Sequence, residues 1–137
     1  SITSKESVEI LVFLMSISDP TQEIIKSVQS AVKWLESVKL KNIKLVTIKD
    51  KNSPTGYDRK LIKKMGAKPL WARFYDMETF KPFFSDRDGK VYKNYDNISW
   101  ERRNDYGWIG DWPRESMYYK YKMWQQKYAP GKYMLEK

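Results

Sequence analysis

Residues 70–89 read LWARFYDMETFKPFFSDRDG. Two arginines, Arg73 and Arg87, stand among six aromatic residues, and the stretch closes on an Asp-Arg-Asp-Gly turn. The aromatic, strand-prone composition of residues 70–75 and 81–85 predicts two strands joined by a turn over residues 76–80. An arginine is a permanent cation whose planar fork grips a carboxylate or phosphate through two hydrogen bonds. Flat aromatic faces beside it offer surfaces on which a sugar ring or a base can lie. The pairing suggests a site for an anionic polymer or ligand.

Downstream, Ser99 is placed to cap a short helix through Tyr106, and Gly107 and Gly110 punctuate a tryptophan-rich loop ending at Trp112-Pro113. Pro113 then opens a final helix with Met117, Tyr121 and Trp124 on one side. The tail, residues 129–137, is expected to fray.

Upstream, residues 49–69 read as a long basic loop carrying Pro54, Gly56 and Gly66, with a helical turn over residues 58–65. Ile43, Leu45 and Ile48 amid lysines predict a strand over residues 42–49, at a sheet edge. Ile24, Ile25, Val28, Ala31, Val32, Leu35 and Val38 recur at three- and four-residue spacing, the pattern of an amphipathic helix. Asp19-Pro20 with Gln22 predicts its start. Thr3-Ser4-Lys5-Glu6 fits a capping box, and the apolar run of residues 8–17 after it predicts a helix buried all round. The first two elements thus predict an antiparallel helix pair. The expected fold is mainly α: a helix pair and strand over residues 1–50, then an aromatic-rich half over residues 70–128 with short strands and long loops. Of 21 aromatic residues, 18 lie beyond Leu70, together with five of the six arginines, so that half is where a site is expected.

The 137 residues suffice for one domain or a piece of a larger one, and the 41% hydrophobic content is enough for a core. Lys plus Arg number 26 against 17 Asp plus Glu, a net charge of +9 that favours a polyanionic partner. Charge alone does not choose among nucleic acid, an anionic membrane surface and an acidic polysaccharide. With no histidine and no cysteine, imidazole triads, thiol nucleophiles and the usual zinc sites are excluded within this chain. Chemistry here rests on Arg, Lys, Tyr or carboxylates, with a hard oxygen-bound cation such as calcium compatible with that set. No apolar run approaches transmembrane length. The chain starts at Ser1 rather than Met, and an export signal before it would not be visible.

Each candidate has a plainer reading. Arg73 either faces a ligand or lays its stem on the sheet and pairs with a surface acid. The Asp86-Arg87-Asp88-Gly89 stretch is also an ordinary turn whose acids bond nearby amides, and it lacks the spacing of an EF-hand loop. Glu101-Arg102-Arg103-Asn104-Asp105 is either a solvated helix face or a network that holds the strand arginines in place. Trp100, Trp108, Trp112 and Trp124 suit packing as well as binding, and Tyr118, Tyr119 and Tyr121 are open in the same way.

Three segments, LWARFYD, FFSDRDG and ISWERRNDYGW, resemble the carboxy-terminal motifs of the family 10 pectate lyases. SVEILVFLMSISDPTQEIIKSVQSAVKWLESVKL is similar to the helix pair that precedes those motifs. The likeness runs in order from about Ser4 to Tyr128. It implies part of an α/α toroid, and calcium-assisted β-elimination of polygalacturonate in a secreted or periplasmic enzyme. It also implies that Arg73 and Arg87 bind substrate, with Tyr75, Asp88, Arg102 and Arg103 as supports. The family's catalytic base is an arginine in an earlier segment. No arginine precedes Arg59 here, so the base is expected upstream of Ser1, as are the calcium-binding aspartates. The chain is then expected to be a carboxy-terminal fragment of a larger catalytic module, inactive alone and monomeric with the missing half. Its partner is expected to be acidic polysaccharide, not nucleic acid and not membrane. The rival reading is a non-catalytic binding module for acidic polysaccharide or single-stranded nucleic acid.

Overall fold

The computed structural model describes residues 1–135. In chain order the elements are β1 (Ile2–Thr3), α1 (Ser4–Met15), α2 (Gln22–Val38), β2 (Ile43–Lys49), β3 (Tyr57–Lys63), β4 (Trp71–Ala72), β5 (Phe74–Tyr75), β6 (Phe84–Ser85), β7 (Val91–Tyr92), α3 (Trp100–Asp105), β8 (Ile109–Gly110) and α4 (Tyr121–Tyr128). A 3-10 turn occupies Tyr95–Asn97, and a π-helical stretch, Ser116–Lys120, leads into α4. The chain divides into two compact units, one of Ser1–Ile2 with Lys39–Gly110 and one of Thr3–Val38 with residues from Asp111 onward.

In the helical unit, the apolar periodicity of α2 becomes a stripe in which Ile25, Val28, Val32, Leu35 and Val38 are all buried. Val8 and Leu11 of α1 join this core, as do Met117, Tyr121 and Trp124. Burying such side chains stabilises a domain by about 1.5–3 kcal/mol each, so the stripe holds the unit together. Several expectations are corrected. Ile10 and Phe13 of α1 are 62% and 66% exposed, so this helix is not buried all round within the described chain. The cap of α2 is Thr21, whose hydroxyl accepts the Ile24 N–H at 3.3 Å, and not Asp19, which turns the chain in the left-handed region at φ +50°. Thr3 does hold the extended N-cap conformation before α1, but its side chain makes no capping bond. Beyond α4, the Tyr121 hydroxyl donates to the Tyr133 carbonyl at 2.7 Å and Ala129 is buried, so residues up to Tyr133 are tied down. Met134 is 70% exposed, and residues 136–137 of the expected frayed tail lie outside the described residues.

The other unit corrects the expected basic loop. Residues 57–63 are a strand, not a helical turn, paired antiparallel with β2 in a register that sets Leu45 opposite Leu61 and Thr47 opposite Arg59. The connection is a compact turn: the Asp50 N–H donates to the Gly56 carbonyl at 2.8 Å, and an Asp50 carboxylate oxygen accepts the Asn52 N–H at 3.0 Å. Gly56 sits at φ +81°, a conformation that glycine adopts without the steric cost other residues carry.

The two strands expected over residues 70–75 and 81–85 appear in shorter pieces. β4 pairs with β8 and β6 with β7, while the stretch between β5 and β6 turns through Asp76, whose carboxylate accepts the Glu78 and Thr79 N–H groups at 2.9 and 2.8 Å. The Asp-Arg-Asp-Gly stretch is the turn joining β6 to β7, closed by the Gly89 N–H donating to the Asp86 carbonyl at 3.1 Å. Trp71, Tyr75, Phe84, Tyr95, Ile98 and Trp108 fill the core of this unit.

Candidate arginine and aromatic site

Arg73 interrupts the strand between β4 and β5. Its backbone N–H donates to the Trp108 carbonyl at 2.7 Å, which lays this strand beside residues 106–110. The guanidinium carbon then stands 5.1 Å from the centre of the Tyr106 ring and 5.6 Å from that of Phe74. Arg102 reaches the same cluster, 4.9 Å from Tyr106 and 4.9 Å from Trp108, while its Nε donates to the Ser85 carbonyl at 3.3 Å. A cation over a ring face is attracted by the ring quadrupole, and the ring fixes where that charge sits. Phe74, stacked with Phe83 and nearly parallel to Tyr106 at 10°, extends the aromatic surface.

Arg87 is held differently. Its Nη2 lies 2.6 Å from Glu101 Oε1 and its Nε 3.4 Å from Oε2, a two-point grip by a side chain that is 71% exposed on a partner 46% exposed. Water screens so open a pair strongly, and another carboxylate can replace Glu101 without uncovering a buried charge. The turn that carries Arg87 is held by several hydrogen bonds. Asp86 accepts the Ser99 N–H at 2.5 Å, the Ser99 hydroxyl at 2.9 Å and the Arg87 N–H at 2.7 Å. These bonds, the Ser99 amide foremost, hold its carboxyl below the usual range. Asp88 accepts the Tyr92 hydroxyl at 2.5 Å and the Lys90 N–H at 2.9 Å, and the tyrosine chiefly lowers its carboxyl in the same way. Both acids therefore shape the turn.

Arg103 and Tyr75 face inward. Arg103 Nη2 meets Asp58 Oδ2 at 2.7 Å with both side chains about 15% exposed, and the arginine also donates to the Ile98 carbonyl. The Asn104 amide adds a bond to Asp58 at 2.8 Å. Tyr75 is fully buried; its hydroxyl accepts the Ala72 N–H at 2.9 Å, and burial pushes its pKa up to about 12. The structure thus gathers Arg73, Arg102 and the rings of Tyr106 and Trp108. It ties Arg87 to the same short helix through Glu101, and it gives Arg103 and Tyr75 packing partners. Sequence reasoning missed Tyr106 and Phe83 as members of the cluster although they sit inside the motifs. It missed Asp58 because the segment around it reads as a loop.

Among the described residues, no three acidic side chains gather as a metal site. The Asp86 carboxylate accepts bonds from Ser99 and Arg87, and that of Asp88 from Lys90 and Tyr92.

A family profile described as pectic acid lyase matches residues 1–117. Among solved structures, the chain is similar to the family 10 polysaccharide lyase from Cellvibrio cellulosa. The TM-score is 0.72 at 31% identity, over 89% of this chain and 36% of that one. It is likewise similar to a mutant of the family 10 polysaccharide lyase from Cellvibrio cellulosa in complex with trigalacturonic acid. There the TM-score is 0.71 at 30% identity, over 94% of this chain and 37% of that one. The chain therefore spans little more than a third of the structures it matches. No protein of curated function matches it.

Proposed function

This chain belongs to the pectic acid lyase family, and from that premise we propose that it supplies the substrate-gripping arginines of a pectate lyase acting on polygalacturonate by β-elimination. The observation that carries the reading is the pair of exposed or ring-stacked guanidinium groups, Arg87 and Arg73, in a chain similar to a lyase solved with trigalacturonic acid.

In β-elimination a base removes the proton on carbon 5 of a galacturonate, electrons shift to form a bond between carbons 4 and 5, and the oxygen linked at carbon 4 leaves. The proton is hard to remove because the neighbouring carboxylate is already negative, and charge grows on it as the proton departs. A cation beside that carboxylate offsets the growing charge. Arginine suits this role because its fork matches the carboxylate and it does not deprotonate. Arg87 exchanges Glu101 for a uronate carboxylate. Arg73, backed by Tyr106 and Phe74 with Arg102 on the same ring, holds a neighbouring sugar. Arg103 and Asp58 set the position of the helix that carries Glu101 and Arg102.

The catalytic base, the calcium and the closure of an α/α toroid are assigned to the remainder of the module. Secretion belongs to the same proposal, since polygalacturonate lies outside cells; among the described residues, no helix is long and apolar enough to cross a membrane. In the complete enzyme, Arg73→Ala and Arg87→Ala are expected to lower the rate of unsaturated-product formation by about a hundredfold, the scale of losing one preorganised charge contact. Wild-type rates in folded variants would refute the assignment.

A further inference from the structure

The net charge of this protein is not spread over its surface. Residues 39–68 contain ten cations, Lys39, Lys41, Lys44, Lys49, Lys51, Arg59, Lys60, Lys63, Lys64 and Lys68, and two acids, Asp50 and Asp58. Ten less two leaves +8 of the chain's +9 in this one segment. The segment is the β2–β3 hairpin and its flanks. Of the two acids, Asp58 is paired with Arg103 from outside the segment, and Asp50 accepts the Asn52 N–H in the turn. Lys44, Lys49, Lys60 and Lys63 are all exposed. In the observed register, Lys44 and Lys60 emerge on one face of the ribbon and Lys49 and Lys63 on the other.

We propose that the β2–β3 hairpin is a second binding site of this protein, an electrostatic arm that holds a long acidic polysaccharide outside the arginine site. The choice of polymer rests on the pectate reading above; the existence of a polyanion site rests on the hairpin's own charge. A like-charged ribbon raises the local concentration of a polyanion and releases counterions on binding, without needing a defined pose. Lysine, a hydrated point charge on a flexible stem, gives that kind of contact, whereas arginine forks give the geometric one at Arg73 and Arg87. The strands carry a single aromatic side chain, Tyr57, and single-stranded nucleic acids are usually held by several stacked rings. The hairpin chemistry therefore favours an acidic polysaccharide over nucleic acid.

The test uses the full chain and its variants K44Q/K49Q/K60Q/K63Q and R73A/R87A, titrated with long polygalacturonate, with trigalacturonate and with oligothymidylate at low and raised salt. The four lysines are surface positions, and an unchanged melting midpoint verifies that the variant folds. The lysine variant is expected to bind long polygalacturonate about tenfold more weakly at low salt, a difference that vanishes at raised salt. Its binding of trigalacturonate is expected to match wild type. Undiminished binding of the long polymer overturns the proposal, as does an equal loss for trimer and polymer. Tighter wild-type binding of oligothymidylate than of polygalacturonate overturns the choice of polymer. If R73A/R87A binds both sugars as wild type does while the lysine variant loses the polymer, the arginine assignment fails and the hairpin stands.

Discussion

Glu101, Arg102 and Arg103 are consecutive on α3, and each goes to a different partner: Arg87, the Tyr106 and Trp108 rings, and Asp58. Successive helical residues point about 100° apart, so one short helix can serve three directions at once. The candidate arginines sit in dense local motifs, which is why the sequence draws attention to them. Asp58 was not legible, since its partner lies 45 residues away and no local pattern encodes that distance. This mostly buried pair makes a pH prediction. The hydrogen bond from Arg103 holds the Asp58 carboxyl below its ordinary value of 3.8, so the folded state binds that proton less readily than the unfolded chain. The stabilisation is complete above 3.8 and is lost as pH falls below it through the lowered folded value. Asp58→Asn should cost about 2 kcal/mol at pH 7, and its difference from wild type should shrink towards pH 3. Urea midpoints at both pH values measure this, and a gap that stays constant with pH would argue against the pair.

At the scale of elements, α2 was readable in nearly every detail because its five buried positions repeat with the helical period over 17 residues. Its cap was not: Asp19, Ser18 and Thr21 are all capping types, and only the backbone turn at Asp19 decides for Thr21. Thr21→Ala should lower stability by about 1 kcal/mol, seen as a shifted thermal midpoint, while Asp19→Ala should not cost a cap. The strand β3 escaped notice because its ribbon is partly exposed on both faces, so nothing forces apolar residues onto alternate positions. Leu61 and Ile62 stand side by side in it. A hairpin is decided by pairing with another segment, which a pattern within one segment does not contain.

At the scale of the molecule, the two units interleave in sequence: the helix pair belongs with the final helix, and the segment between them forms the other unit. Within the segment between them lie both the charged hairpin and the candidate arginine site. The central proposal is that Arg73 and Arg87 hold galacturonate carboxylates. The most direct measurement is calorimetric titration of trigalacturonate into the complete lyase and into its R73A/R87A variant, with folding verified by melting. A loss of at least about tenfold in affinity is the predicted result. Equal affinity in the two proteins would contradict it.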